Sequence, residues 1–217
     1  MPRQIVMDST GDTRFEFNSA DAAAVTEALA RFKQLTDAGF TAAVRKGSGS
    51  SELVRHFDPT VDETLFFPRL RGGQLRIAGV DLSLWVVLTT LAVLACALVL
   101  GHVSEVGYRR AAEERGLVLL KQWLSPAQLA QYEKHGYFEL TGGDSGKRYR
   151  IRPTHQMNVD ELNERGVRTV SYCFGPEGEL PIGDVMLAQK IALENNEQAA
   201  LALANRGNPH QSPPRFG

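Results

Sequence analysis

Three arginines alternate with aromatic or apolar residues in the second half of the chain: Arg148, Arg150 and Arg152. In a β-strand this spacing places their guanidinium groups on one face of the sheet. Guanidinium groups bind phosphates and carboxylates, and a nearby imidazole can act as an acid or a base. The pattern predicts a site for an anionic ligand or a lipid headgroup at four residues: Arg148, Arg150, Arg152 and His155. The alternative is a solvated face whose arginines pair across the sheet with acidic residues: Glu139, Asp160 or Glu161.

Three carboxylates gather in a loop rich in proline and glycine: Glu177, Glu179 and Asp184. Carboxylates can bind Ca²⁺ or serve as acid and base, but this spacing matches no calcium-binding loop. We therefore interpret the segment as a solvated turn. Residues 142–147, with the sequence GGDSGK, also lack the spacing of a phosphate-binding loop, which continues into a helix. We interpret them as the turn of a hairpin.

The histidines and cysteines are scattered and show none of the spacings HxxH, CxxC or HExxH that hold metal ions. The sequence therefore predicts no catalytic residue, no metal and no cofactor. The formal net charge of -1 implies no general attraction to nucleic acid. Together these features favour a protein that is not an enzyme.

Residues 82–101 contain no charged side chain. A helix of this length spans about 30 Å, the thickness of the hydrocarbon core of a bilayer. The stretch predicts a transmembrane helix over residues 82–103, with the amino terminus in the cytoplasm. Small residues would let a second helix pack against it: Ala92, Cys96, Ala97 and Gly101. Aromatic and basic residues are expected at the membrane interface: Trp85, Tyr108, Arg109 and Arg110.

The predicted fold class is α+β, with two small α+β domains flanking the single transmembrane helix. Each flank is long enough for one small hydrophobic core. The predicted boundaries are a first domain over 1–76, a linker over 77–81, the membrane helix over 82–103, a juxtamembrane helix over 104–122, a second domain over 123–205 and a disordered tail over 206–217.

The first domain is predicted to begin with a hairpin over residues 5–7 and 14–17. A helix follows, which we expect Asn18 or Ser19 to cap and Gly39 to end. Its single apolar stripe requires a sheet to cover, and three later segments can supply the strands: residues 40–44, 53–56 and 64–70.

This order of hairpin, helix and strands, together with the sequence Arg69-Leu-Arg-Gly-Gly73, resembles the ubiquitin-like β-grasp family. The five residues are those that end ubiquitin, and the resemblance covers residues 1–73. It implies a β-grasp fold for the first domain. Conjugation in the family uses the free carboxylate of the last glycine, whereas Gln74 continues the chain here. A ubiquitin-like role would therefore require cleavage after Gly73.

The second domain is predicted to begin with a helix that Ser125 caps, with Pro126 in its first turn, Gln128 completing a capping box and Gly136 at its end. Four short segments joined by turns predict an antiparallel meander: residues 137–140, 148–152, 156–162 and 167–174. We expect Asp184 to cap a last helix that extends to residue 205.

These features favour a single-pass, membrane-anchored accessory subunit or adaptor of a larger membrane complex. The expected partners are membrane lipids and either other proteins or further copies of the chain, with no nucleic acid. One alternative is a membrane-tethered enzyme or binder that uses the arginine strand, with His155 as acid or base. The other is a ubiquitin-like module released after Gly73.

Overall fold

Two β-sheets and the helices around them form the part of the chain that the computed structural model describes, which is residues 1–46, 49–72 and 108–207. The strands are β1 (Arg3–Asp8), β2 (Gly11–Glu16), β3 (Thr41–Lys46), β4 (Ser50–Val54), β5 (Glu63–Phe67), β6 (Leu70–Gly72), β7 (Phe138–Thr141), β8 (Arg148–Ile151), β9 (Val159–Leu162), β10 (Arg168–Pro176) and β11 (Asn205–Gly207). The helices are α1 (Ala22–Asp37), α2 (residues 108–123 of the described chain), α3 (Pro126–His135), α4 (Ile182–Asn195) and α5 (Glu197–Leu203).

The first sheet has the strand order β2-β1-β5-β3-β4. Its central strands β1 and β5 run parallel, and the other neighbours are antiparallel. Because side chains alternate across a strand, one face presents Val6 and Phe66 to Phe32 of α1. The opposite face presents Ile5 and Leu65 to the rest of the molecule. The sheet is therefore buried on both faces.

Helix α1 begins later than the sequence predicts. Its cap is Asp21, whose side chain accepts a hydrogen bond from the N–H of Ala23 at 2.9 Å. Asn18 instead accepts from the N–H of Ala20 in a tight turn, which uses up its capping oxygen before the helix starts. The prediction of Asn18 or Ser19 as the cap is wrong, whereas the helix itself and the left-handed Gly39 after it are confirmed.

The second sheet has the order β11-β10-β9-β8-β7, so the predicted meander of four strands is confirmed. The capping box at Ser125 and Gln128 and the left-handed Gly136 at the end of α3 are also confirmed. Strand β6, which follows the first sheet in the chain, pairs with the end of β10. The two halves of the described chain are thus joined through main-chain pairing.

Helix α4 is buried on almost every side and packs against strands of both sheets. Such a helix belongs in the centre of a fold, where both of its faces meet apolar surface. A single cluster of buried residues extends from Ile5 and Leu65 in the first sheet, through Leu187 of α4, to Phe138 and Ile151 in the second. The boundaries of two separate domains stay a prediction.

The membrane prediction requires a correction. Within residues 1–46, 49–72 and 108–207, every helix is too short or too polar to cross a bilayer. Helix α2 has a buried face with Leu119, Leu120 and Trp123, but its other face is charged and exposed. The described chain is accordingly α+β with two sheets, and it does not support two domains flanking a transmembrane helix. The same finding contradicts three further predictions: a single-pass location, a membrane-anchored adaptor and a membrane-tethered enzyme.

Several predicted residues lie outside the described part of the chain. They include the predicted membrane helix over 82–103 and the linker over 77–81. The packing and interface residues Trp85, Ala92, Cys96, Ala97 and Gly101 lie there as well, as does Gly73. Of the predicted interface residues, Tyr108, Arg109 and Arg110 are described, and all three are exposed in the first turn of α2.

Candidate functional site

In the arginine row, Arg148 and Arg150 lie on strand β8 and Arg152 directly follows it, and neighbouring carboxylates compensate their charges. Glu139 of β7 accepts from Arg148 at 2.6 Å and from Arg150 at 2.8 Å, and Arg152 lies 3.0 Å from a carboxylate oxygen of Asp160. Burial alone would raise the pKa of Glu139, but the hydrogen bonds and charges of the two arginines outweigh it and lower the pKa. This is the pairing across the sheet that the sequence offers as the alternative to ligand binding.

His155 is separated from the arginine row. It lies in the loop after β8, is exposed, and lines a cleft of about 860 Å³. A second cleft of about 730 Å³ adjoins it and shares His155, Gly178, Glu179 and Val185. We call the two together the His155 cleft. None of the three row arginines is among its lining residues in the described chain.

The wall of the His155 cleft is built from the end of β10 and from β6. Gly175 of β10 pairs with Arg71 of β6, and the N–H of Glu177 donates to the carbonyl oxygen of Arg69 at 2.6 Å. The side chains of Arg71 and Glu177 also form an exposed ion pair. The segment that resembles the ubiquitin tail is therefore held as a strand against the second sheet, as far as Gly72.

Cys173 and Asn158 form the deeper part of the cleft. The buried thiol of Cys173 lies 3.8 Å from the carbonyl oxygen of His155. The Asn158 amide group donates to the carbonyl oxygen of Phe174 at 3.1 Å and accepts from its N–H, which continues the pairing of β10 beyond the end of β9. The cleft thus has a rigid, main-chain-lined floor and an exposed imidazole at its edge.

Asp184 lies in the first turn of α4, beside two residues that line the cleft, Ile182 and Val185. It is fully buried, and neither carboxylate oxygen has a hydrogen-bond partner among the described residues. Burial, together with the nearby carboxyl groups of Asp12, Asp8 and Glu113, raises the pKa of Asp184 to about 8. Asp184 is therefore neutral at pH 7, unlike an ordinary aspartate.

The structure separates the three loop carboxylates that the sequence groups together. Glu177 and Glu179 lie at the rim of the cleft, while Asp184 is enclosed in the core. Asp184 also caps no helix, because α4 begins at Ile182, whose N–H donates instead to Glu113 of α2 at 3.0 Å. Within the described residues, no group of three or more His, Cys, Asp or Glu side chains is placed to hold a metal ion.

Compared with known proteins, the chain matches no family model, no curated protein and no solved structure. A function must therefore be argued from the chemistry of the chain's own residues.

The buried carboxylate of Glu197 accepts several hydrogen bonds, a role that the sequence does not predict. It is buried and accepts from the Tyr149 hydroxyl at 2.6 Å and from the N–H groups of Asp144 and Ser145 at 3.0 and 2.8 Å. These hydrogen bonds join the turn after β7 to the start of α5. Because all of its contacts are to the fold itself, we assign Glu197 to structure rather than to a site. A Glu that begins a helix beside a Gly-rich turn is too common a pattern to predict this contact.

Proposed function

We propose that the chain is a binding module that accepts an extended peptide segment of a protein partner in the His155 cleft. The observation that carries the proposal is the composition of the cleft, in which main-chain groups and apolar side chains lie beside exposed charges of both signs. Each of its two parts, of about 860 and 730 Å³, falls within the roughly 300 to 1,000 Å³ in which a cleft with a few convergent polar groups is the usual location of a binding site.

The lining favours a peptide over a small anion or cation. Leu70, Ile182 and Val185 supply apolar surface, while Arg71 and Glu177 supply opposite charges at the rim. A ligand of one charge would be repelled by half of this rim, whereas a peptide carries both apolar and charged groups. The pairing of β6 with β10 also shows that main chain fits against this wall.

We also propose that residues 1–73 form a β-grasp-like module. The hairpin, the helix α1 packed on one face and the parallel pairing of β1 with β5 support this proposal. It concerns the fold alone and adds nothing about ligands.

The binding proposal is tested by selecting linear peptides from a random displayed library and measuring their affinity by calorimetry. His155→Trp places a bulky ring in the opening shared by both clefts, and we expect it to weaken the selected peptides at least about tenfold, or about 1.4 kcal/mol. His56→Trp, at an exposed bend of the first sheet, is the matched control and should leave the affinity unchanged. Selection of no peptide, or equal affinity for both variants, would contradict the proposal.

Cys173 provides a second measurement of the same site. The full sequence contains two cysteines, so Cys96→Ser leaves Cys173 as the only thiol. A selected peptide in the cleft should slow the reaction of this thiol with a disulfide reagent. A rate that is unchanged at saturating peptide would place the peptide elsewhere on the protein.

A further inference from the structure

We propose that Asp184 is a proton-dependent latch: the start of α4 packs against α2 while the carboxyl is neutral, and ionisation of this buried carboxyl disrupts the packing. This disruption would move the wall of the His155 cleft. The latch itself depends only on the crossing of α2 and α4, whereas its effect on a ligand rests on the binding function proposed above.

The two helices approach without intervening side chains. A Cβ added to Gly183 would overlap the carbonyl oxygen of Gly116, and a Cβ added to Gly116 would lie 2.7 Å from the Cβ of Pro181. The same atom would be 3.2 Å from Oδ1 of Asp184. The carboxyl therefore packs directly against Gly116 of α2, without space for a water molecule between them.

The charges that surround Asp184 oppose its ionisation. The end of β1 presents Asp8, the start of β2 presents Asp12, and α2 presents Glu113. The nearby cations bind elsewhere, since Arg115 of α2 donates to the carbonyl oxygen of Thr10 and Arg14 pairs with Asp12. A carboxylate at Asp184 would be buried without a hydrogen bond or a counter-charge among the described residues, which is the least tolerable state for an ionised group.

The first turn of α4 is the part of the helix that can open locally. Its cap is Pro181, which supplies no side-chain hydrogen bond, and the N–H of Ile182 donates to Glu113 from the other helix. The rest of α4 is fixed by its contacts with both sheets. Ionisation is therefore expected to loosen this turn, which carries Ile182 and Val185 of the cleft wall, before it affects the core.

Hydrogen exchange of the full chain tests the latch without any ligand. After correction for intrinsic exchange, protection of amides 182–186 should fall about tenfold per pH unit between about pH 6 and 8, because each opening exposes one carboxyl that ionises. Asp184→Asn should remove this dependence. Amides in the central strands β1 and β5 exchange through global unfolding and should stay better protected than amides 182–186 at every pH.

Two results would overturn the latch: the same pH dependence in Asp184→Asn, or equal protection of amides 182–186 and of β1 and β5 at every pH, which would mean that this turn opens only by global unfolding. If Asp184→Asn does not fold, Asp12→Asn takes its place. Removing that neighbouring carboxylate eases ionisation of Asp184 in the closed turn, so the fall in protection should level off at a lower pH. An unmoved transition would exclude Asp184 as its source.

A separate measurement addresses the effect on the ligand. The affinity of a selected peptide should change between pH 6 and pH 9 in the wild type and stay constant in Asp184→Asn. Constant affinity in both proteins, with the exchange result intact, would leave the latch in place and remove its link to the cleft. Failure of every peptide to bind would instead contradict the binding function and leave the exchange result standing.

Discussion

The indole N–H of Trp123 donates a hydrogen bond of 2.7 Å to a carboxylate oxygen of Glu63. Trp123 ends α2, and Glu63 begins β5 at the centre of the first sheet. The second oxygen of Glu63 pairs with Arg3 of β1, so the carboxylate is satisfied on both sides although it is almost entirely buried. This contact joins the helix that leads to the second sheet with the middle of the first.

Replacing Trp123 tests how firmly this contact joins the two halves. Trp123→Phe should lower the free energy of unfolding by about 2 to 4 kcal/mol, because it removes buried ring volume and leaves one oxygen of Glu63 unpaired. Urea unfolding measures the change. Glu63→Gln keeps an acceptor for Trp123 and should cost less. The cycle therefore uses Glu63→Ala, which removes the acceptor: combined with Trp123→Phe it should show a coupling of about 1 kcal/mol or more, and strict additivity would contradict a direct bond.

The buried carboxyl of Asp184 predicts an unusual dependence of stability on pH. Its pKa is about 8 in the fold and ordinary in the unfolded chain, so the folded state holds one more proton between these values. Stability should therefore fall as the pH rises from about 4 to 8, by up to about 1.4 kcal/mol per unit, and then level off. Asp184→Asn should flatten this part of the profile in thermal unfolding. Asp37→Asn, at the exposed end of α1, is the matched control and should preserve the slope.

Because of Glu197, we expect the stability of the fold to fall in acid, opposite to the effect of Asp184. Burial would raise its pKa, but hydrogen bonds from Ser145 and Tyr149 and from main-chain N–H groups lower it overall. The stability it contributes is present above the pKa of an unfolded glutamate and is lost as the pH falls through the lower folded value. Together with the fall above about pH 4 that Asp184 causes, this places the maximum of their joint contribution at about pH 4, where ordinary Asp and Glu titrate, and thermal unfolding across this range measures it.

Removing the Glu197 side chain should be more damaging than removing one of its donors. Glu197→Ala leaves the buried Tyr149 hydroxyl and two N–H groups without an acceptor, so we expect a loss of about 3 kcal/mol or more. Tyr149→Phe should lose about 1 to 2 kcal/mol. Tyr108→Phe, at a residue that is 75% exposed, should be neutral. Equal effects of Glu197→Ala and Tyr149→Phe in urea unfolding would argue against a shared network.

Glycines at the crossing of α2 and α4 should tolerate substitution less than glycines in turns. Gly183→Ala would drive a methyl group into the carbonyl oxygen of Gly116, and we expect a loss of about 3 kcal/mol or more. Gly136→Ala provides the comparison, because that position has a φ of 72° but nothing within 4 Å of a new Cβ. Backbone strain alone should lower its stability by about 1 to 2 kcal/mol. A smaller effect at Gly183 would contradict the close approach.

Local patterns account for the elements that the sequence predicts correctly. The capping box at Ser125 involves residues three apart, and the meander from β7 to β10 is joined by short turns, so neighbouring residues suffice to specify both. The misplaced cap of α1 shows the limit of such rules. Asn18, Ser19 and Asp21 are all good caps, and the preceding turn decides which of them is available.

The sequence by itself determined the α+β class, the antiparallel meander from β7 to β10 and the alternation that puts Arg148 and Arg150 on one face of β8. These features depend on residues a few positions apart. Only the tertiary structure decided that β6 pairs with β10, that α4 is enclosed by both sheets, and that Asp184 is buried while Glu177 and Glu179 are not. The reason is physical: burial and the loss of a counter-charge depend on segments far apart in the chain, and a carboxylate in a loop has the same local sequence whether water or a second helix covers it.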